Sequence, residues 1–180
     1  MMTLQQNTQS PLLQLSKPKD LSHGMKIYST TEQLTFKIME VQTPFGPSVF
    51  NGTGEEERQS LVLSISPEDH KALSALETNL RQQLQAQFPD LDSRWTSCLK
   101  DATDKFAPTL RCKINLKGAR VCKFLDGSGA PASPPESWRR LSANVVIRIG
   151  GAYIQARGAG LLVEVTHLQY EPQPPENPFA

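Results

Sequence analysis

In LTFKIMEV (34–41) apolar and polar side chains alternate, with Leu34, Phe36 and Ile38 on one face and Thr35, Lys37 and Met39 on the other. A period of two predicts a strand with one buried side. TPFGP (43–47) turns the chain, since neither of its prolines can donate to a ladder. The short run SVFNG and the polar loop TGEEERQS lead into SLVLSIS (60–66), a second firm strand. The period then changes. Ser66 suits an N-cap, Pro67 the first helical position, and Glu68 and Asp69 the positive end of the helix dipole. Leu73, Leu76, Leu80 and Leu84 draw a single apolar stripe, so an amphipathic helix is predicted from Pro67 to about Phe88. The stripe covers barely two heptads and is read as packing on a sheet rather than as a coiled-coil seam.

PDLDSRWTSCLKD (89–101) predicts a short second helical turn containing Trp95. Strands then return. TLRCKINL (109–116) puts Leu110, Cys112, Ile114 and Leu116 on one face and Arg111, Lys113, Asn115 and Lys117 on the other. A turn at Lys117 and Gly118 makes RVCKFLD (120–126) a hairpin partner, and GSGAPASPPES (127–137) reads as a flexible loop. The long apolar segment from Ser142 is joined to LLVEVTHLQY (161–170) by ARGAG, a glycine-rich hairpin turn.

The organisation that follows is a mobile polar arm over 1–30, one mainly β domain over 31–171, and an extended, disordered proline-rich tail, PQPPENPFA, over 172–180. Five main strands with one helix between the third and fourth is the element order of an OB-fold, a small, partly open Greek-key barrel. The 180 residues suit one domain with a core. No secretory signal and no apolar run of roughly 18 residues occurs, so a soluble intracellular protein is expected. Cys98, Cys112 and Cys122 are an odd number without C-x-x-C spacing, read as buried reduced thiols rather than a metal site.

Charge changes this picture. The net charge is +1, yet residues 111 to 157 carry nine cations against two anions, leaving ten and sixteen for the rest of the chain. VVIRIGGAYIQ (145–155) sharpens the point. If Gly150 and Gly151 form a β-bulge, Val145, Ile147 and Ile149 share the core face with Ala152 and Ile154, and Arg148, Tyr153, Gln155 and Arg157 share the outer one. Cations interleaved with Trp138 and Tyr153 on strands with an apolar back are the composition of a groove that follows a phosphate backbone and stacks bases on rings. An ordinary solvated strand face is the competing interpretation. The candidate contacts are Lys37, Arg111, Lys113, Lys117, Arg120, Lys123, Trp138, Arg139, Arg140, Arg148, Tyr153, Gln155 and Arg157.

LTFKIMEV with TPFG, SLVLSIS and the helix after it, KINL, and finally VVIRIGGAYIQ with GLLVEV together resemble the viral OB-fold single-stranded DNA-binding proteins of podophages and large DNA viruses. The resemblance spans about 33–170 and rests on element order and the last two strands. It implies a barrel whose cationic face holds single strands, often as a dimer, in DNA replication, recombination and annealing, with replication proteins recruited through the C-terminal tail. The tail departs from the family pattern, which is strongly acidic with a terminal aromatic. Here only Glu171 and Glu176 are acidic, although Phe179 fits.

No catalytic residue, cofactor or metal is expected. His23, His70 and His167 lie apart from any nucleophile spacing, and Glu55, Glu56 and Glu57 form a loop charge run. The alternative function is a protein-interaction or structural β module whose NPF and PQPP tail peptides dock partners.

Overall fold

The computed structural model describes residues 2–3, 14–49, 52–53 and 56–172. Its strands are β1 (Met2–Thr3), β2 (Lys19–Asp20), β3 (Lys26–Thr43), β4 (Arg58–Ser64), β5 (Leu99–Lys100), β6 (Thr109–Asn115), β7 (Lys123–Leu125), β8 (Leu141–Gln155) and β9 (Gly158–Tyr170). The helices α1 (Pro67–Gln85) and α2 (Leu91–Arg94) lie between β4 and β5. Five strands pair in the order β6-β4-β3-β8-β9, and β9 returns to β6 through parallel pairs Lys113–Glu164 and Ile114–Val165, so the sheet runs into a ring. Pairing between β3 and β4 is confined to Gln42 and Ser64, and β1 pairs in parallel with β3 at Phe36 and Lys37.

Alternation fills the inside of the ring. Ile38, Leu61, Leu63, Leu110, Ile114, Ile147 and Leu168 are fully buried, and α1 adds Leu73, Leu80 and Leu84 to the same cluster. Leu76 is only partly buried, because Glu77 takes the inward place beside it. The helix begins as its sequence predicts. Ser66 Oγ accepts from the Asp69 amide at 3.1 Å and donates to the Asp69 carboxylate at 2.8 Å, closing the first turn. Burial raises the Asp69 pKa, partly offset by that Ser66 bond.

The bulge at Gly150 and Gly151 is present. Register shifts at this point against both β3 and β9. Val145, Ile147, Ile149, Ala152 and Ile154 are all buried, while Arg148, Tyr153 and Gln155 remain partly exposed. Gly151 is the residue that demands glycine, with φ +123 and a carbonyl of Tyr28 only 1.9 Å from where a Cβ would stand.

Four expectations are corrected. The helix follows the second ring strand rather than the third, because the described residues of SVFNG form no strand and make one bridge, Ser48 to Ser60, next to Pro47. The boundary at 30/31 falls inside β3, which starts at Lys26 and buries Tyr28 against the core. The polar outward residues of this stretch had masked its alternation. RVCKFLD is not the hairpin partner of β6. Both edges of β6 are occupied, by β4 on one side and by β5 and β9 on the other, so β7 pairs in parallel with β9. The loop 127–137 is tied to the sheet by Ala132 N to Phe124 O at 2.9 Å and Tyr170 OH to Ser133 O at 2.9 Å, and Pro135 is buried. The tail from 173 onward lies outside the described residues.

Candidate functional site

The thirteen candidate side chains fall into three groups along the ring. The middle group lies on its outer surface. Across β4, β6, β9, β8 and β3 one row reads Ser60, Lys113, Glu164, Arg148, Thr35, each residue the register partner of the next. Lys37 lies two residues beyond Thr35 on β3, opposite Val146. Arg111 is exposed opposite Val62, and Lys123 is exposed beside His167. Lys117 and Arg120 are exposed in the connection from β6 to β7.

This row contains an acid that sequence reasoning had not placed there. Glu164 pairs with Arg148 Nη2 and accepts from Asn115 Nδ2, and its side chain is only 12% exposed. Arg148, itself about one-third exposed, is therefore already paired within the chain. Lys113 donates Nζ to Ser60 Oγ at 2.8 Å, and burial, followed by the nearby Arg58 and Arg111 charges, lowers its ammonium pKa. Burial, then the Lys123 charge, likewise holds the His167 imidazole below its ordinary value. The signal for Glu164 was present in LLVEVTHL, where the alternation that buries Val163 and Val165 turns the intervening acid outward.

The second group closes the far end of β8. Tyr153 lies opposite Gly160, its ring within 3.2 Å of where a Gly160 Cβ would sit, and Gln155 pairs with Gly158 beside the exposed Arg157. Arg94, absent from the sequence-based set, donates Nη1 to the Gln155 carbonyl at 3.1 Å and lies 5.8 Å from the Phe88 ring centroid. The third group stands at the other end of β8. Trp138 meets Phe124 edge-on, its centroid 6.0 Å away, and Arg139 and Arg140 are exposed. About 40 Å of extended strand separates Arg140 from Tyr153 at roughly 3.3 Å per residue. The structure thus spreads the candidates over one long strand and its neighbours rather than gathering them in one pocket. Arg111, Arg120, Lys123, Arg139, Arg140 and Arg157 form no ion pair among the described residues.

The buried polar chemistry is structural in kind. Glu77 accepts from Trp95 Nε1 at 3.2 Å, Ser97 Oγ at 2.5 Å and Cys98 N at 3.3 Å, fastening α1 to the segment after α2. Burial pushes the Cys98 and Cys122 thiols up to about 12 and raises Cys112, so all three are protonated near neutral pH and poor nucleophiles. Among the described residues no three of His, Cys, Asp and Glu converge as a metal site, and no helix is long and apolar enough to cross a membrane.

No protein-family model matches the chain, and no curated protein matches its sequence. Solved structures do match. The single-stranded DNA-binding protein of bacteriophage Enc34, solved in complex with single-stranded DNA, is 11% identical with a TM-score of 0.50 over 87% of this chain and 95% of that one. Its C-terminally truncated form is 12% identical with a TM-score of 0.50, covering 87% and 94%. Gp2.5, a single-stranded DNA-binding protein encoded by bacteriophage T7, is 14% identical with a TM-score of 0.52 over 81% and 94%. The chain shares the fold of these phage proteins.

Proposed function

We propose that this chain, built on the fold of the phage single-stranded DNA-binding proteins, itself binds single-stranded DNA without catalysis, in replication, recombination or repair. In this reading the ring is a partly open, five-stranded OB-like Greek-key barrel, and the strand runs along its outer face beside β8. The observation that carries the reading is the fold likeness over nearly the whole length of proteins described as single-stranded DNA-binding. Surface chemistry supports it. Exposed cations that form no ion pair among the described residues stand on β6 and β7 and at both ends of β8, where they would neutralise phosphates along a bound strand. Tyr153 supplies a ring for stacking at one end.

The Arg148–Glu164 pair changes the weighting of the contacts. A guanidinium already held by a largely buried carboxylate gains less from a phosphate than a solvated one, because that pair must break or be shared. Arg111, Lys123 and Arg157 therefore carry more of the electrostatic contact than Arg148. The test is fluorescence anisotropy with labelled oligothymidylates of increasing length over a salt series. Affinity that rises with length, falls with salt, and loses roughly 0.7 of log–log slope on replacing Arg111 by Ala supports the proposal. Absence of both length-dependent affinity and tryptophan quenching refutes it.

A further inference from the structure

The loop after β3 carries an aromatic ring that the sequence-based site did not include. Phe45 is 70% exposed although it is apolar and large. Its neighbours on both sides are fixed. The Thr43 carbonyl accepts from the Arg140 amide at 2.8 Å and its hydroxyl donates to the Trp138 carbonyl, while Gly46 lies against the Trp138 side chain, with its Cβ position 3.4 Å from Trp138 Cβ. Pro44 and Pro47 bracket the segment and restrict its backbone further. The ring is thus presented to solvent by a stiff loop, not by a floppy one.

The same corner holds the two exposed guanidinium groups of Arg139 and Arg140, neither in an ion pair among the described residues. Arg140 has φ +59, a left-handed conformation that costs a residue with a Cβ roughly 1 kcal/mol or more and is retained where the surroundings impose it. Here the hydrogen bond from its backbone N–H to the Thr43 carbonyl holds it there. A rigid exposed ring at a corner that also carries two cations outside any ion pair among the described residues complements a ligand with a flat π face and adjoining negative charge, and an unpaired nucleobase with its flanking phosphates has that chemistry.

We propose that Phe45, Arg139 and Arg140 form a base-stacking subsite at the β3-loop end of the ring, separate from the Tyr153 end. This rests on the single-stranded DNA reading and deepens it by naming a second point where a base is held. A bound strand is then gripped by aromatic rings at both ends of β8, with phosphate contacts between.

Anisotropy with labelled oligothymidylate tests the subsite on the full chain. Phe45→Ala is expected to weaken binding by about 5- to 150-fold, the range for one lost base–aromatic stack, with an unchanged salt slope. Phe45→Trp restores affinity. Arg139→Ala and Arg140→Ala each flatten the slope by roughly 0.7. Because Phe45 is exposed, the melting temperature of Phe45→Ala stays at the wild-type value, so lost affinity is not lost fold. Wild-type binding that Phe45→Ala reduces by less than twofold overturns the subsite and leaves the proposed function standing. A wild-type chain that binds no single strand overturns both.

Discussion

Replacing Gly151 by Ala is expected to be among the most damaging small changes available to this protein. Gly151 is buried where β8 passes between β3 and β9, pairing with Ser29 and Leu162. An added Cβ would stand 1.9 Å from the Tyr28 carbonyl oxygen, 2.8 Å from its carbon and 2.9 Å from Ser29 Cα. All three are backbone atoms of β3, so no side chain can swing aside. Relief requires β3 to move or φ to leave +123, and either breaks the bulge. Strain of about 1–3 kcal/mol for the disallowed conformation joins about 1–3 kcal/mol for overpacking, a total of about 2–6 kcal/mol. For a domain of this size that lowers Tm by roughly 4–24 °C at 2–4 °C per kcal/mol. Gly150 is the internal control. Its Cβ would meet Leu162 at 3.9 Å, ordinary contact, and its φ is not in the left-handed region, so Gly150→Ala should range from neutral to about 1 kcal/mol stabilising. Calorimetric melting of the two variants against wild type decides the matter. If Gly151→Ala melts within about 1 kcal/mol of wild type, or Gly150→Ala is the worse of the two, the bulge is not held as described.

The other predictions follow from buried contacts and charge. Glu77→Ala should destabilise by about 2–4 kcal/mol in urea titration, since it strands the Trp95, Ser97 and Cys98 donors. Deleting residues 1–25 should leave a folded ring, whereas deleting 1–30 removes the buried Tyr28 and its pairing with β8 at an added cost of about 3–5 kcal/mol; equal stability of the two truncations would contradict the core position of Tyr28. His167 has a folded pKa below its unfolded value, so its contribution to stability is complete above about pH 6.5 and is lost as pH falls; His167→Gln should flatten that limb of the Tm–pH curve. Tyr153→Ala should weaken oligothymidylate binding by about 1–3 kcal/mol with no change in salt slope, and an altered slope would mean that its loss disturbs the cations instead.

Period and punctuation in the chain determined the elements that are long and one-sided. LTFKIMEV, SLVLSIS, TLRCKINL and the apolar stripe of α1 are each specified by side chains whose spacing matches a single local geometry, and the N-cap at Ser66 is a contact between near neighbours. The Gly150–Gly151 bulge was legible for the same reason, because an apolar alternation that slips by one residue needs a place to slip. Which of the two glycines is indispensable was not legible, since that depends on the Tyr28 carbonyl, more than a hundred residues earlier in the chain. The partner of β7 was likewise decided in three dimensions, by competition for the edges of β6. The site divides along the same line. Its cationic composition is a property of the chain, but the capture of Arg148 by Glu164, the isolation of Tyr153 from Trp138 along one strand and the display of Phe45 all depend on strand register. Register is set by which faces are buried together, and an alternating strand is compatible with several registers until the ring chooses one.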